Sequence, residues 1–257
     1  MLRMRFPDRV FAGRKLAETI KRQGVADRDT VVLGLPRGGV PVAYEVATAL
    51  NLPLDVIIVR KLGVPFQREL AMCAIGEDGV RTLIEEFAAH AGIGHEDLAV
   101  VEQRERAELE RRVELFRGTR PRIPLTGRTA LIIDDGIATG STVRAACQVA
   151  RAHGARRAVV ATPVAPPDTL DALRADADDV LCVHVPTPFW AIGQFYDDFT
   201  QTSDDEVARL LTQAAARPGA TRATGDREVE VPKAKGIERD PYLEHAREEA
   251  EGIDVFA

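Results

Sequence analysis

Asp134 and Asp135 close the apolar run of "ALIIDDGIATGST" (130–142), and Thr139, Gly140, Ser141 and Thr142 follow within seven residues. Unpaired carboxylates cannot remain in an apolar core, so both acids must emerge at the end of a buried strand. The small residues behind them turn the chain into a helix. Ser141 and Thr142 then offer two hydroxyls and several backbone N–H groups at a helix N-terminus, which is a cradle for phosphate. A ligand that satisfies both halves carries a vicinal diol for the acids and a monoester phosphate on the same sugar. Ribose 5-phosphate has both.

Two further strings carry chemistry that suits an anion. In "GLPRGGVPVA" (34–43), Gly38 and Gly39 stand between a strand and a helix, where backbone must approach a ligand closely, and Arg37 adds positive charge. In "VRKLG", Arg60 and Lys61 fall at the expected end of the next strand.

Positioning these groups requires a repeated strand and helix scaffold. Apolar runs of strand length occur at 30–36, 54–61, 129–135, 157–164 and 179–185, with helical patterns at 40–50, 141–153 and 167–175. That alternation predicts an α/β fold with an open parallel sheet and helices on both faces. Such sheets bind ligands beyond the carboxyl ends of their strands, where both glycine-bearing loops fall. Residues 68–84 carry a "GEDG" turn between two possible strands. Residues 95–116 predict a charged, solvated helix with Leu98, Val101, Leu109, Val113 and Leu115 as its apolar side. An opening helix with Val10, Leu16, Ala17 and Ile20 inward is expected in place of a signal or transit peptide.

The signature at 130–142 resembles that of the type I phosphoribosyltransferases, which bind 5-phosphoribosyl 1-diphosphate (PRPP), and the resemblance extends in weaker form over residues 10–212. It implies the fold of that family, with a small hood near 186–200 and a flexible lid at about 65–79. Asp134 and Asp135 would hold the ribose diol, and Ala138, Thr139, Gly140, Ser141 and Thr142 would bind the 5-phosphate. Arg37, Gly38 and Gly39 would bind diphosphate, a loop that in the family sometimes carries a cis peptide, and Arg60 and Lys61 would face the same group. In "PFWAIGQFYDDF" (188–199), Trp190 occupies the place of the stacking aromatic and Asp197 that of an acid that helps hold metal and diphosphate. The implied cofactor is Mg²⁺ carried with PRPP, and the implied activity is transfer of ribose 5-phosphate to a nitrogenous base. The alternative is a PRPP sensor without turnover.

Two departures limit the acceptor. The family's purine 6-oxo enzymes place a lysine after the fourth core strand, whereas this chain has "ATPVAPPD", so a guanine or hypoxanthine acceptor is disfavoured. The acid that precedes "TG" in hypoxanthine-type members is here Ala138. Glu69 and Glu77 are the candidates for a general base, with Glu69 preferred because Arg68 adjoins it.

The totals fit a folded soluble chain: 257 residues, 45% hydrophobic and 29% charged. A formal net charge of −6 argues against a general DNA-binding surface. Cys73, Cys147 and Cys182 are too widely spaced for a disulfide framework or zinc knuckle, and no run approaches ~18 apolar residues, so a cytoplasmic protein without membrane contact is expected. A homodimer is an open possibility. The phosphoribosyltransferase domain should span 1–216, with 217–257 a polar, flexible tail.

Overall fold

The computed structural model describes residues 5–64, 67–83 and 95–217. The chain divides into a unit of residues 1–221 and one of 222–257, and the second lies outside the described residues. The polar tail expected from 217 onward falls there except for Arg217. That residue is anchored: its guanidinium donates to the Leu52 carbonyl at 2.9 Å and to the Thr48 hydroxyl.

The central sheet is parallel in the order β2–β1–β6–β7–β8, built from β1 (Thr30–Gly34), β2 (Leu54–Val56), β6 (Thr129–Ile133), β7 (Arg157–Val164) and β8 (Asp179–His184). Both faces are covered, which is why these strands read as continuous apolar runs. Side chains alternate between two cores. Val32, Ile133 and Val159 face Leu16 and Ile20 of α1 (Arg9–Gln23), Val42 and Val46 of α2 (Gly39–Leu50) and Leu210 and Leu211 of α6 (Asp204–Ala215). Val31, Leu33 and Ile132 face Val143 and Cys147 of α4 (Ser141–Ala152) and Leu173 of α5 (Pro167–Leu173). The Asp8 carboxylate caps α1 by accepting from the Phe11 N–H at 2.7 Å, and Gly24 ends it with φ 65°. Val10 is not on the buried face of α1; Ala12 and Gly13 are, and Gly13 lets α1 lie against Val42 and Glu45 of α2.

The apolar run 54–61 is not one strand. β2 stops at Val56, and β3 (Val59–Val64) leaves the sheet to pair antiparallel with β4 (Gln67–Gly76), which pairs with β5 (Arg81–Leu83). The GEDG turn forms a short 3₁₀ segment, Glu77–Gly79, with Asp78 and Gly79 both at positive φ. The strands expected around it are present.

Helix α3 (His95–Arg117) carries surface ion pairs, with Glu108 bonded to Arg111 and Arg112 at 2.8 Å each, which hold the Glu108 carboxyl down to about 2. Its inner side agrees with the expected one at Leu109, which is buried, and at Val113, which packs on the core, but Phe116 is buried and Leu115 is exposed; the side chains of Leu98 and Val101 lie outside the described residues. At its end Arg117 is buried and bridges Asp55 at 3.0 Å and Glu77, and it donates to the Val56 carbonyl at 3.2 Å. A helix whose charges were read as solvated therefore carries a buried one that ties the hairpin turn to the sheet.

Candidate active site

β6 delivers Asp134 and Asp135 at its carboxyl end, beside the loop that follows β1. The two glycines of that loop are required by contact. A Cβ on Gly39 would lie 2.6 Å from the Ile133 carbonyl oxygen and 2.9 Å from the Asp134 Cα, and one on Gly38 would overlap the Asp135 carboxylate. The loop also contains a cis peptide between Pro36 and Arg37. Four predicted site residues, Gly38, Gly39, Asp134 and Asp135, are thus in one place. Arg37 stands at the rim, 3.7 Å from Asp204 at the start of α6.

The acids are in an unusual electrostatic setting. The Asp134 carboxylate accepts the Asp135 N–H at 2.9 Å. Burial, and then the neighbouring Asp135 charge, push the Asp134 carboxyl well above its ordinary range. Burial also raises Asp135, against which Arg9 acts: its Nε lies 2.8 Å from Asp135 Oδ2. The Tyr196 hydroxyl donates to the Asp135 carbonyl at 2.6 Å.

The loop of the signature follows directly. The Ile137 N–H bonds to the Val164 carbonyl at 2.9 Å, and the Thr169 hydroxyl donates to the Ala138 carbonyl at 2.6 Å, which pins the turn to β7 and α5. Gly140 is the N-cap of α4 with φ 75°, a conformation that glycine adopts without strain. Ala138 and Thr139 are exposed, Ser141 and Thr142 half-buried, and the Thr139 and Ser141 hydroxyls lie 3.3 Å apart. The first-turn N–H groups of α4 therefore open onto the same edge as the acids.

In the segment after β8, Phe195 and Tyr196 are buried with Phe6, and their packing rather than that of Trp190 holds the segment down. Trp190 is 79% exposed. Asp197 is more than half exposed and pairs with Arg5 at 3.1 Å. Gly136 accommodates Ile192, so signature and hood are in contact.

Other predicted residues sit elsewhere. Arg60 and Lys61 are on β3 of the hairpin and not at the end of a sheet strand, because the chain leaves the sheet after Val56. Arg60 is bonded to Glu105 of α3 through Nε at 2.7 Å. Glu69 lies on β4; its side chain and that of Lys61 are outside the described residues, as are residues 65 and 66 of the expected lid. Glu77 is buried with both oxygens bonded to Arg117, which assigns it to the scaffold and leaves it a poor candidate for a base. Arg9 is the residue that the sequence pattern did not reveal.

Comparison with known proteins agrees with this geometry. The phosphoribosyl transferase domain model matches residues 5–71 and 75–200, which include the diphosphate-type loop, the signature and the hood. Two proteins of Mycobacterium tuberculosis, from strains CDC 1551 / Oshkosh and ATCC 25618 / H37Rv and each provisionally named a phosphoribosyl transferase, are 50% identical over 98% of this chain. The match spans 58% of the length of those relatives. The crystal structure of a Thermus thermophilus protein superposes with a TM-score of 0.74 at 42% identity, covering 82% of this chain and 99% of that one. With the acid pair, the glycine-bound loop and the helix N-terminus at one sheet edge, and the domain model spanning all three, the chain belongs to the phosphoribosyl transferase domain family.

Proposed function

We propose that the protein transfers ribose 5-phosphate from PRPP to a nitrogenous base with release of diphosphate. The observation that supports this most is the meeting of Asp134 and Asp135 with the Gly38–Gly39 backbone on one side and the α4 N-terminus on the other. The acids suit the ribose hydroxyls, the helix terminus the 5-phosphate, and the glycine loop the diphosphate.

Catalysis here is largely electrostatic. As the anomeric carbon acquires oxocarbenium character, carboxylates fixed beside the ribose stabilise positive charge, and cations at the rim stabilise the departing diphosphate. Among the described residues no cluster of three or more His, Cys, Asp or Glu is placed to hold a metal ion by itself. Mg²⁺ would arrive with the substrate and neutralise charge on the departing diphosphate, and Asp197 is the hood acid that would help hold it by family resemblance. Arg37 neutralises leaving charge once its contact to Asp204 is exchanged for one to diphosphate. Trp190 supplies the face on which a base stacks.

The test is release of diphosphate from Mg²⁺–PRPP, measured against a panel of purine and pyrimidine bases. Release that depends on one base supports the transferase reading and names the acceptor. Saturable PRPP binding with no release against any base would replace it with a PRPP sensor.

A further inference from the structure

The N-terminal segment and the hood meet at the second signature acid, whose carbonyl accepts from Tyr196 and whose carboxylate accepts from Arg9. Phe6 lies alongside Tyr196 in a parallel bridge, with the Phe6 N–H bonded to the Phe195 carbonyl at 2.8 Å and the Asp197 N–H to the Phe6 carbonyl at 2.9 Å. The Asp198 N–H bonds to the Pro7 carbonyl at 2.9 Å, and Asp8 then starts α1. This places Arg9 in the first turn, where its guanidinium makes three contacts at once. Nε meets Asp135 Oδ2 at 2.8 Å, Nη1 donates to the Thr200 carbonyl at 2.8 Å, and the guanidinium lies 4.1 Å from the centre of the Phe199 ring. The Arg9 and Asp135 side chains are only 12% and 10% exposed, so this is an enclosed pair and not a surface contact.

We propose that Arg9 is a positioning residue for PRPP: it acts through Asp135, fixing that carboxylate against the hood so that the ribose-binding acid and the hood move as one unit. The inference rests on the PRPP reading of the site. Arg9 does not touch the ribose; it takes one oxygen of Asp135 and thereby sets the orientation of the other. An arginine suits the task because its planar fork serves Asp135 and Thr200 together, which a lysine ammonium cannot do in the same geometry.

Charge is the second part of the role. The groups that act on Asp135 are Arg9 from α1, bonded to its carboxylate, Asp134 beside it and Tyr196, whose hydroxyl reaches its carbonyl; Asp8 stands near Tyr196 and Asp198 near Arg9. Among the described residues Arg9 is the cation bonded to Asp135. Without it, burial would push the Asp135 carboxyl further up, toward the protonated form that accepts more weakly from a ribose hydroxyl. Because raising the pH removes that proton, the defect should fade as pH increases.

The experiment measures Mg²⁺–PRPP affinity by calorimetry from pH 6 to 9, with thermal unfolding in parallel, for the full chain and for Arg9→Met and Arg9→Lys. The unsubstituted chain sets the reference profile, to which the raised Asp134 carboxyl contributes. Relative to it, Arg9→Met should lose roughly tenfold or more at neutral pH, a loss that shrinks toward pH 9. Arg9→Lys should be weaker than the unsubstituted chain by the same factor at every pH. Unchanged affinity in Arg9→Met, or a loss equal at every pH, would overturn the role and leave a contact that only supports the fold. If Arg9→Met does not fold, Arg9→Lys decides: full affinity or a new pH dependence would overturn the proposal. Failure of the unsubstituted chain to bind PRPP at all would overturn the parent reading and this one with it, an outcome distinct from the others.

Discussion

Asp134 and Asp135 occupy a position that costs stability, which fits the ligand role proposed for them. Both carboxyls are raised by burial, Asp134 the more strongly because Asp135 adds like charge. The folded state therefore binds more protons than the unfolded chain above the ordinary carboxylate value of about 4, and stability falls as pH rises from there toward the raised value. Asp134→Asn removes the ionisation, so it should raise the melting temperature at pH 7–8 and much less at pH 4–5, while PRPP affinity drops. A thermal unfolding series against pH checks the sign; a lower melting temperature at pH 8 would mean that the acid is held charged by contacts stronger than its desolvation. Gly38 gives a steric counterpart. A methyl group there meets the Asp135 carboxylate, so Gly38→Ala must shift either the loop or the acid. It should cost at least about tenfold in PRPP affinity, roughly 1.4 kcal/mol, while the melting temperature moves little. Calorimetry and a melting curve on the same sample separate the two effects.

The elements that carry the site depend on a buried ion bridge remote from it. Arg117, at the end of α3, satisfies Asp55 of β2 and Glu77 of the hairpin turn, and Asp55 also accepts the Ile123 N–H at 2.9 Å. Arg117→Met leaves two buried carboxylates without a cation, a change that costs on the order of 3–5 kcal/mol. Chemical denaturation should show that loss, and Glu77→Gln, which keeps a hydrogen-bonding side chain, should lose less. The bridge also marks where the sequence ceased to be informative. The parallel strands and both glycine loops were legible because buried strands, turn residues and strand-end acids leave local signatures. The run 54–61 was not, since apolar residues do not say which sheet they join, and its division after Val56 carries Arg60 to Glu105 and away from the strand end. Arg117 and Arg9 were equally hidden. Each is one arginine in a charged or amphipathic helix, and its partners lie 62 and 126 residues away, beyond any spacing rule.

Across the molecule, the N-terminal helix, signature loop and hood converge on one sheet edge, and Arg217 closes the described chain against α2 and the residues after it. The boundary of the working domain should thus fall one residue later than composition suggests. A chain ending at Arg217 should bind PRPP within tenfold of the full chain, while one ending at Ala216 should melt lower because the Thr48 hydroxyl and Leu52 carbonyl lose their donor. Parallel calorimetry and melting curves on the two truncations would test this, and equal melting temperatures would show that the Arg217 contacts add nothing. No helix among the described residues is long and apolar enough to cross a membrane. The central claim is that the acid pair at the end of β6 holds the ribose of PRPP. Its most direct test is titration of Mg²⁺–PRPP into the unsubstituted chain and into the Asp134→Asn, Asp135→Asn double variant, with folding checked by circular dichroism. Saturable binding at one site, weakened by at least about 1.5–3 kcal/mol in a folded double variant, is the predicted result. Equal affinity in the two folded proteins would contradict it.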